Sequence, residues 1–325
     1  MDFLYVHFTT SGVDTWIFLP PVVAFVVSLF TSMAGISGAF LLLPYQVSFL
    51  GFTSPAVSAT NFVFNIVAIP SGVYRYMKEG RMAWPLTWVV IVGTLPGVFI
   101  GYYIRVLYFP NPETFKLFVG MVLLYIGGRL LYEMTPRSQR DKKEMRALEE
   151  KFSRHVKNLK EEQNALISSG LPQEAVVRTI SFSISRVEFE FWGQRFSFHP
   201  TGMFLLAFVV GIVGGIYGVG GGAIIAPFCV AIFNLPIYTV AGASLMSTFL
   251  TSIAGVFFYS VIPPAEGLST RPDWLLGCLF GMGGIVGMYC GARLQKIFPQ
   301  KVITLILGAS ITFLACRYIL QFFIQ

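Results

Sequence analysis

The chain carries the same stretch of sequence twice. Residues 24–76 align with residues 207–259 at a constant offset of 183 and without a gap, so that Gly35/Gly218, Gly38/Gly221, Pro44/Pro227, Gly72/Gly255 and Tyr76/Tyr259 coincide. After a slip of seven residues the match resumes at an offset of 190, pairing Trp84 with Trp274, and Gly93, Gly97 and Gly101 with Gly283, Gly287 and Gly291. Both copies are apolar along most of their length. Of 16 acidic residues, nine fall between residues 141 and 190, and the other seven (Asp2, Asp14, Glu79, Glu113, Glu133, Glu266 and Asp273) lie near segment ends. A charge at the bilayer centre costs at least ~2.5–3.5 kcal/mol, so an interior emptied of acids is what a membrane demands. The chain has 12% charged residues, where soluble domains have about 25%. It reads as an integral membrane protein, and a duplicated membrane half is a common architecture of secondary transporters.

A helical span needs about 20 apolar residues. Ten segments follow on that rule: 16–34, 38–50, 55–76, 84–107 and 113–133 in the first copy, and 201–217, 222–233, 236–262, 272–295 and 299–322 in the second. The second segment of each copy is too short for ~30 Å of hydrocarbon at about 1.5 Å per residue. Each follows a glycine-rich break and holds a proline, Pro44 or Pro227. The first two segments of each copy are therefore compatible with a re-entrant hairpin that reaches only the midplane. Three zones result: a first transmembrane repeat at 16–133, a linker at 134–198 and a second repeat at 199–322.

Lys and Arg set the orientation. With the linker cytoplasmic, the connection holding Arg75, Lys78 and Arg81 and the one holding Arg293, Lys296 and Lys301 both lie inside. Only scattered bases, among them Arg105, Lys116 and Arg271, fall outside, which satisfies the positive-inside rule. Both termini are then outside. Each copy crosses an odd number of times, so the two repeats are inverted. The expected fold is an all-α membrane protein of two inverted repeats of about five hydrophobic helices each. No basic stretch precedes the first apolar run, so a cleaved signal peptide is not expected. The net charge of +7 is loop asymmetry and does not indicate nucleic-acid binding.

The linker holds 12 Lys or Arg beside its nine acids. Residues 137–167 suggest an exposed amphipathic helix. Over 176–198 the apolar residues alternate, from Ile180, Phe182 and Ile184 to Val187, Phe189 and Phe191 and, after Gly193, Phe196 and Phe198, which reads as a β-hairpin broken at Trp192-Gly193. Such a linker is either a solvated tether or a subdomain for regulation or a cytoplasmic partner. A homo-oligomer is also compatible with the sequence.

Two features could hold a ligand. The breaks read Gly35-Ile36-Ser37-Gly38-Ala39 and Gly218-Val219-Gly220-Gly221-Gly222-Ala223. Each opens a short helix whose first amides lack intrahelical partners and whose dipole favours an anion. Close helix packing is the other use of such glycines. Polar residues on the third segment form the second feature. Ser58, Asn61 and Asn65 recur at helical spacing, and Ser244 and Thr248 occupy the last two positions in the other copy, with Ser247 and Thr251 beside them. They offer uncharged donors to an oxyanion, or hydrogen bonds between helices. The candidate substrate-binding residues are thus Gly38, Ser58, Asn61, Asn65, Gly220, Gly221, Gly222, Ser244, Ser247 and Thr248.

Other residues read as structural. The glycine triplets put small residues on one stripe for close helix contact. Arg129 and Arg317, equivalent at an offset of 188, read as snorkelling residues or as a gate. Cys229, Cys278, Cys290 and Cys316 read as apolar packing residues. His7, His155 and His199 sit outside the segments or at their edges, and no catalytic triad, carboxylate pair or metal set falls within them. No enzyme, metal or cofactor is expected, and coupling through a buried acid is disfavoured.

On these residues the chain resembles the sulfite exporter TauE/SafE family, in a Gly-x-Gly-Gly-Gly break at Gly218 to Gly222, the following Pro227, and the small polar stretch Gly242-Ala243-Ser244-Leu245. The first copy supplies Gly35 to Gly38, Pro44 and Ala59-Thr60-Asn61. The resemblance implies export of sulfite or an organosulfonate such as sulfoacetate across the plasma (inner) membrane. Ser37 stands where the second break has Gly220, and the insert is long for the family. Transport of another small anion, or a membrane scaffold working through the linker, are the alternatives.

Overall fold

The computed structural model describes residues 4–33, 37–78, 80, 82–135, 177–191, 193–262, 269–294 and 300–324. Gly35 and Ile36 of the first break, and the helix expected over 137–167, lie outside the described residues. Strands β1 (Tyr5–Phe8) and β2 (Val13–Trp16) pair antiparallel at the start of the chain. The first copy forms α1 (Leu19–Met33), α2 (Ala39–Ser48), α3 (Ala56–Ala68), α4 (Pro70–Lys78), α5 (Trp84–Leu107) and α6 (Pro112–Glu133). Strands β3 (Arg178–Phe182), β4 (Val187–Phe191) and β5 (Gln194–Phe198) follow. The second copy forms α7 (Pro200–Tyr217), α8 (Gly221–Ile232), α9 (Ile237–Val261), α10 (Trp274–Leu294) and α11 (Gln300–Ile324).

Among the described residues, seven helical stretches are long and apolar enough to cross a membrane: the α3–α4 rod (Ala56–Lys78), α5, α6, α7, α9, α10 and α11. Shorter apolar helices form at α1, α2 and α8. At about 1.5 Å per residue, the 10 residues of α2 and the 12 of α8 cover little more than half of a ~30 Å hydrocarbon core. The third segment differs between copies for a local reason. Pro70 lacks an N–H and its ring crowds the preceding turn, and the first copy breaks at Ile69. The counterpart of Pro70 is Ile253, and α9 runs through that position unbroken.

Packing is reciprocal between the copies. The most extensive contacts join α5 to α7 and α1 to α10. These are equivalent, because α1 corresponds to α7 and α5 to α10. A second equivalent set joins α5 to α9 and α10 to α3, while α3–α9 and α6–α11 each pair a helix with its own counterpart. Subunits of a two-fold dimer meet in the same isologous way. The glycine stripes make these contacts close. A Cβ on Gly93 would lie 2.7 Å from Ala207 Cβ, and one on Gly97 2.8 Å from Ile212 N of α7. On the other side, a Cβ on Gly287 would lie 2.9 Å from Ser28 Cβ of α1. The stripes are packing surfaces.

Two small sheets complete the fold. Where one hairpin was expected in the linker, β3, β4 and β5 form a three-stranded antiparallel sheet. Val187, Phe189 and Phe191 on the middle strand are buried, and Phe198 joins them in the main apolar core. The β1–β2 hairpin was not anticipated, although apolar residues flanking Ser11-Gly12 carry a turn signal. Ser11 donates its Oγ (2.8 Å) and its N–H (3.2 Å) to Asp273 at the start of α10. Nearby, the Ala56 N–H at the start of α3 reaches Ser269 O at 3.0 Å. The linker sheet is tied to the other end of the α3–α4 rod, where Val177 N–H donates to Gly80 O at 3.0 Å.

Candidate substrate site

The two breaks meet inside the bundle, and Asn61 on α3 joins them. Its Nδ2 donates to Ala39 O at the start of α2 (3.2 Å) and to Gly218 O just past the end of α7 (3.0 Å). One amide nitrogen touching both breaks places them at one level. A turn further along, Asn65 Nδ2 donates to Val219 O (3.0 Å), while Asn65 Oδ1 accepts from Ser37 Oγ (3.4 Å). Ser58 Oγ donates to Ile216 O (3.1 Å), and Tyr217 OH donates to Phe40 O (2.8 Å). Spacings of three and four put Ser58, Asn61 and Asn65 on one helix face. That face lies against the unwound backbone.

The second copy repeats part of this plan with shorter side chains. Ser244, the counterpart of Asn61, donates to the carbonyl of Gly222, the counterpart of Ala39. Thr248 Oγ1 donates to Ser244 O (2.8 Å), and Ser247 Oγ shares a hydrogen bond with Thr94 Oγ1 of α5 (3.0 Å). Gly218 and Gly220 hold φ of +82° and +79°, a conformation open to glycine with little strain. Gly222 is required by proximity: a Cβ there would lie 2.6 Å from Thr248 N on α9. The structure thus brings Ser58, Asn61 and Asn65 to the second break, and Ser244 and Thr248 to Gly222. Ser247 faces α5 through its bond to Thr94.

The two helix starts are chemically unequal. The Ala39 N–H of α2 is taken by Ser37 Oγ at 3.3 Å. α8 has no side-chain cap, and among the described residues the Gly221 and Gly222 amides have no hydrogen-bond partner. Two uncapped amides at the positive end of a helix dipole suit an anion. Beside the helix starts, Asn61 Oδ1 and Ser28 Oγ of α1 are among the buried polar atoms that have no partner among the described residues. Ser28 Oγ would stand 2.7 Å from a Cβ on Gly38, beside the start of α2. Asn61, Asn65, Ser247 and Ser28 are fully buried. No group of His, Cys, Asp or Glu able to hold a metal occurs among the described residues.

The family model for the sulfite exporter TauE/SafE matches residues 21–318, across both copies and the linker between them. The chain belongs to the sulfite exporter TauE/SafE family. It is similar to the probable membrane transporter protein YunE of Bacillus subtilis, with 20% identity over 297 residues, covering 89% of this chain and 92% of that one. The probable membrane transporter protein MamO of Magnetospirillum gryphiswaldense is 23% identical over 291 residues, which are 88% of this chain but 42% of that protein. No solved structure matches the chain. With its apolar helices and this family, the chain is a multi-pass membrane transporter protein.

Within this TauE/SafE chain, several residues belong to the site that sequence reasoning did not select. Ser28, Ser37 and Tyr217 lie within the breaks or against them, and Thr94 packs its methyl side on Gly221, where a Cβ would fall 2.6 Å from Thr94 Cγ2. An isolated hydroxyl in an apolar run gives no sequence signal. Ser37 and Tyr217 could have been found by their adjacency to the glycines. Two arginines also sit differently from expectation. Arg129 reaches across to Pro227 O at 2.9 Å instead of snorkelling to a segment end. Arg105, counted with the outside connections, is fully buried in the last turn of α5, with its guanidinium 3.7 Å over the Phe115 ring.

Proposed function

We propose that this protein is a secondary transporter that exports a small sulfur-containing oxyanion, sulfite or an organosulfonate such as sulfoacetate, across the plasma membrane by alternating access. One observation carries this reading: two glycine breaks, each opening a short helix, meet at Asn61 among uncharged donors, and among the described residues the one buried acid, Asp273, is engaged by Ser11 at the start of α10. Had α1 and α7 both crossed the whole bilayer in opposite directions, their breaks would lie near opposite faces. Their meeting supports two re-entrant hairpins, α1–α2 from outside and α7–α8 from inside, in inverted repeats. The proposed binding residues are Gly38, Ser58, Asn61, Asn65, Gly220, Gly221, Gly222, Ser244, Ser247 and Thr248, joined by Ser28.

Uncharged donors suit transport because an anion held by dipoles can be released, whereas a fixed buried cation would trap it. In the present arrangement the side-chain donors are bonded to backbone carbonyls, and Gly222 is pressed on α9. On this reading the arrangement corresponds to an occluded state. Withdrawal of one hairpin at a time from α3 or α9 would expose the amides of α8 to one side or the other. Flux assays on purified protein in proteoliposomes, with sulfite, sulfoacetate, thiosulfate, sulfate and acetate in turn, test the reading. Saturable sulfite or sulfonate flux is expected, reduced at least about tenfold by Asn61→Ala with Ser244→Ala. Movement of acetate or sulfate alone would overturn the sulfur assignment, and no flux of any of them would overturn the transport reading.

A further inference from the structure

Resting on that reading of the site, we propose that the oxyanion is carried in its monoprotonated form, with its O–H donated to Asn61 Oδ1 while its charged oxygens face the Gly221 and Gly222 amides. The orientation of the Asn61 amide is fixed by its neighbours. Its nitrogen end faces two carbonyls, Ala39 O and Gly218 O, at 3.2 and 3.0 Å. A flipped amide would set oxygen against oxygen twice, so the acceptor end must be the other one. That end, Oδ1, is fully buried and has no partner among the described residues. It shares a carbon with Nδ2 and so lies beside the start of α2 and Gly218, three residues before the first residue of α8. A buried acceptor without a donor is costly to leave unmet, and a site that keeps one is suited to a ligand that brings the hydrogen.

A metal cation is a poor occupant of that acceptor. Nearby carbonyls at Ile216, Ala39, Gly218, Val219 and Gly222 already accept side-chain hydrogens. The start of α8, three residues beyond Gly218, presents the positive end of its dipole at this break, which repels cations. The second copy shows what the extra reach is for. Ser244 bonds the carbonyl of Gly222 as Asn61 bonds that of Ala39, yet it leaves no orphan acceptor behind. The asymmetry between the copies is therefore a selectivity device: one helix start takes negative charge, and the longer side chain of the other copy tests for a proton.

Hydrogensulfite has such an O–H and an alkyl sulfonate does not, so the two separate the possibilities. The experiment measures flux of sulfite and of methanesulfonate by the wild-type protein and by Asn61→Ser in proteoliposomes, across the second ionisation of sulfite. The serine copies the residue of the other half and should keep the bond to Ala39 O. In the wild type, sulfite flux should fall with rising pH in proportion to its monoprotonated fraction, and methanesulfonate should show a KM roughly tenfold higher, the factor an unmet buried acceptor implies. In Asn61→Ser the ratio of the methanesulfonate KM to the sulfite KM should fall from about tenfold toward one, whatever the change in the two values themselves. Equal handling of both substrates by the wild type, with no dependence on pH, overturns this proposal and leaves the transport reading standing. A parallel rise in both KM values for Asn61→Ser assigns the residue a structural role and also overturns it. If neither substrate moves through the wild type, the functional reading itself fails.

Discussion

Gly222 shows how closely single residues are set in this site. A Cβ there would meet the α9 backbone at Thr248 N, 2.6 Å away, and come nearer still to Ser244 O. Backbone cannot rotate aside as a long side chain can. Gly222→Ala should therefore lower stability by about 1–3 kcal/mol, the range for overpacked interiors, read as a fall in the melting temperature of the purified protein. Gly202→Ala is the control, since its Cβ would only touch Phe233 at 3.7 Å, and it should change stability by less than about 0.5 kcal/mol. At this scale the sequence was partly legible. Helical spacing put Ser58, Asn61 and Asn65 on one face, and that face does line the breaks. What the three side chains bond to was not legible, because the partner of Asn61 lies 157 residues away. Arg105 was hidden for a related reason. Its stacking on Phe115 depends on how the turn after α5 folds back, and no local pattern records that.

The short helices α2 and α8 are each held by the last helix of the opposite copy, through the carbonyl of the conserved-in-duplicate proline. Tyr318 OH of α11 donates to Pro44 O at 3.1 Å and also shares a hydrogen bond with Ser48 Oγ at 2.5 Å. Arg129 of α6 donates to Pro227 O at 2.9 Å. Tyr318→Phe should raise amide hydrogen exchange selectively over 39–48, by about 1 kcal/mol of local opening, and Arg129→Met over 221–232 by roughly twice that, since its bond is charge-assisted. Mass-spectrometric exchange on both variants reads the effect, and a uniform rise across the chain would contradict the clamp. Existence of the elements was largely legible, because apolar runs of membrane length leave few choices. The interruption at Pro70 was missed because the apolar pattern continues across it. The third linker strand was missed because Ile184 continues the alternation of β3 past Phe182 and hides the turn over 183–186 that separates it from β4.

Across the whole molecule, the inverted reading makes a claim about sides. The β1–β2 hairpin is fastened at the start of α10, close to the start of α3, and the linker sheet at the far end of the α3–α4 rod. In a chain freed of its four cysteines, a single cysteine at His7 and another at Ser183 should react with a membrane-impermeant maleimide from opposite faces of oriented vesicles. Labelling of both from one face would rule out the proposed inversion. The duplication itself was fully legible from the offset of the glycines. Its reciprocal packing was not, since a repeat in sequence is equally compatible with two copies lying side by side as separate units.

The reciprocal packing has a consequence for how the molecule can be made. Every long helix of one copy finds its main partner in the other, so the copies complete each other much as two chains of a dimer do. The peptide connection between them raises their effective concentration but supplies none of those contacts. Two polypeptides ending at residue 135 and beginning at residue 177, made together in one cell, should find each other in the bilayer and co-purify as a complex. Fragment complementation of this kind would show that the fused gene preserves an assembly that two separate half-length proteins could have formed.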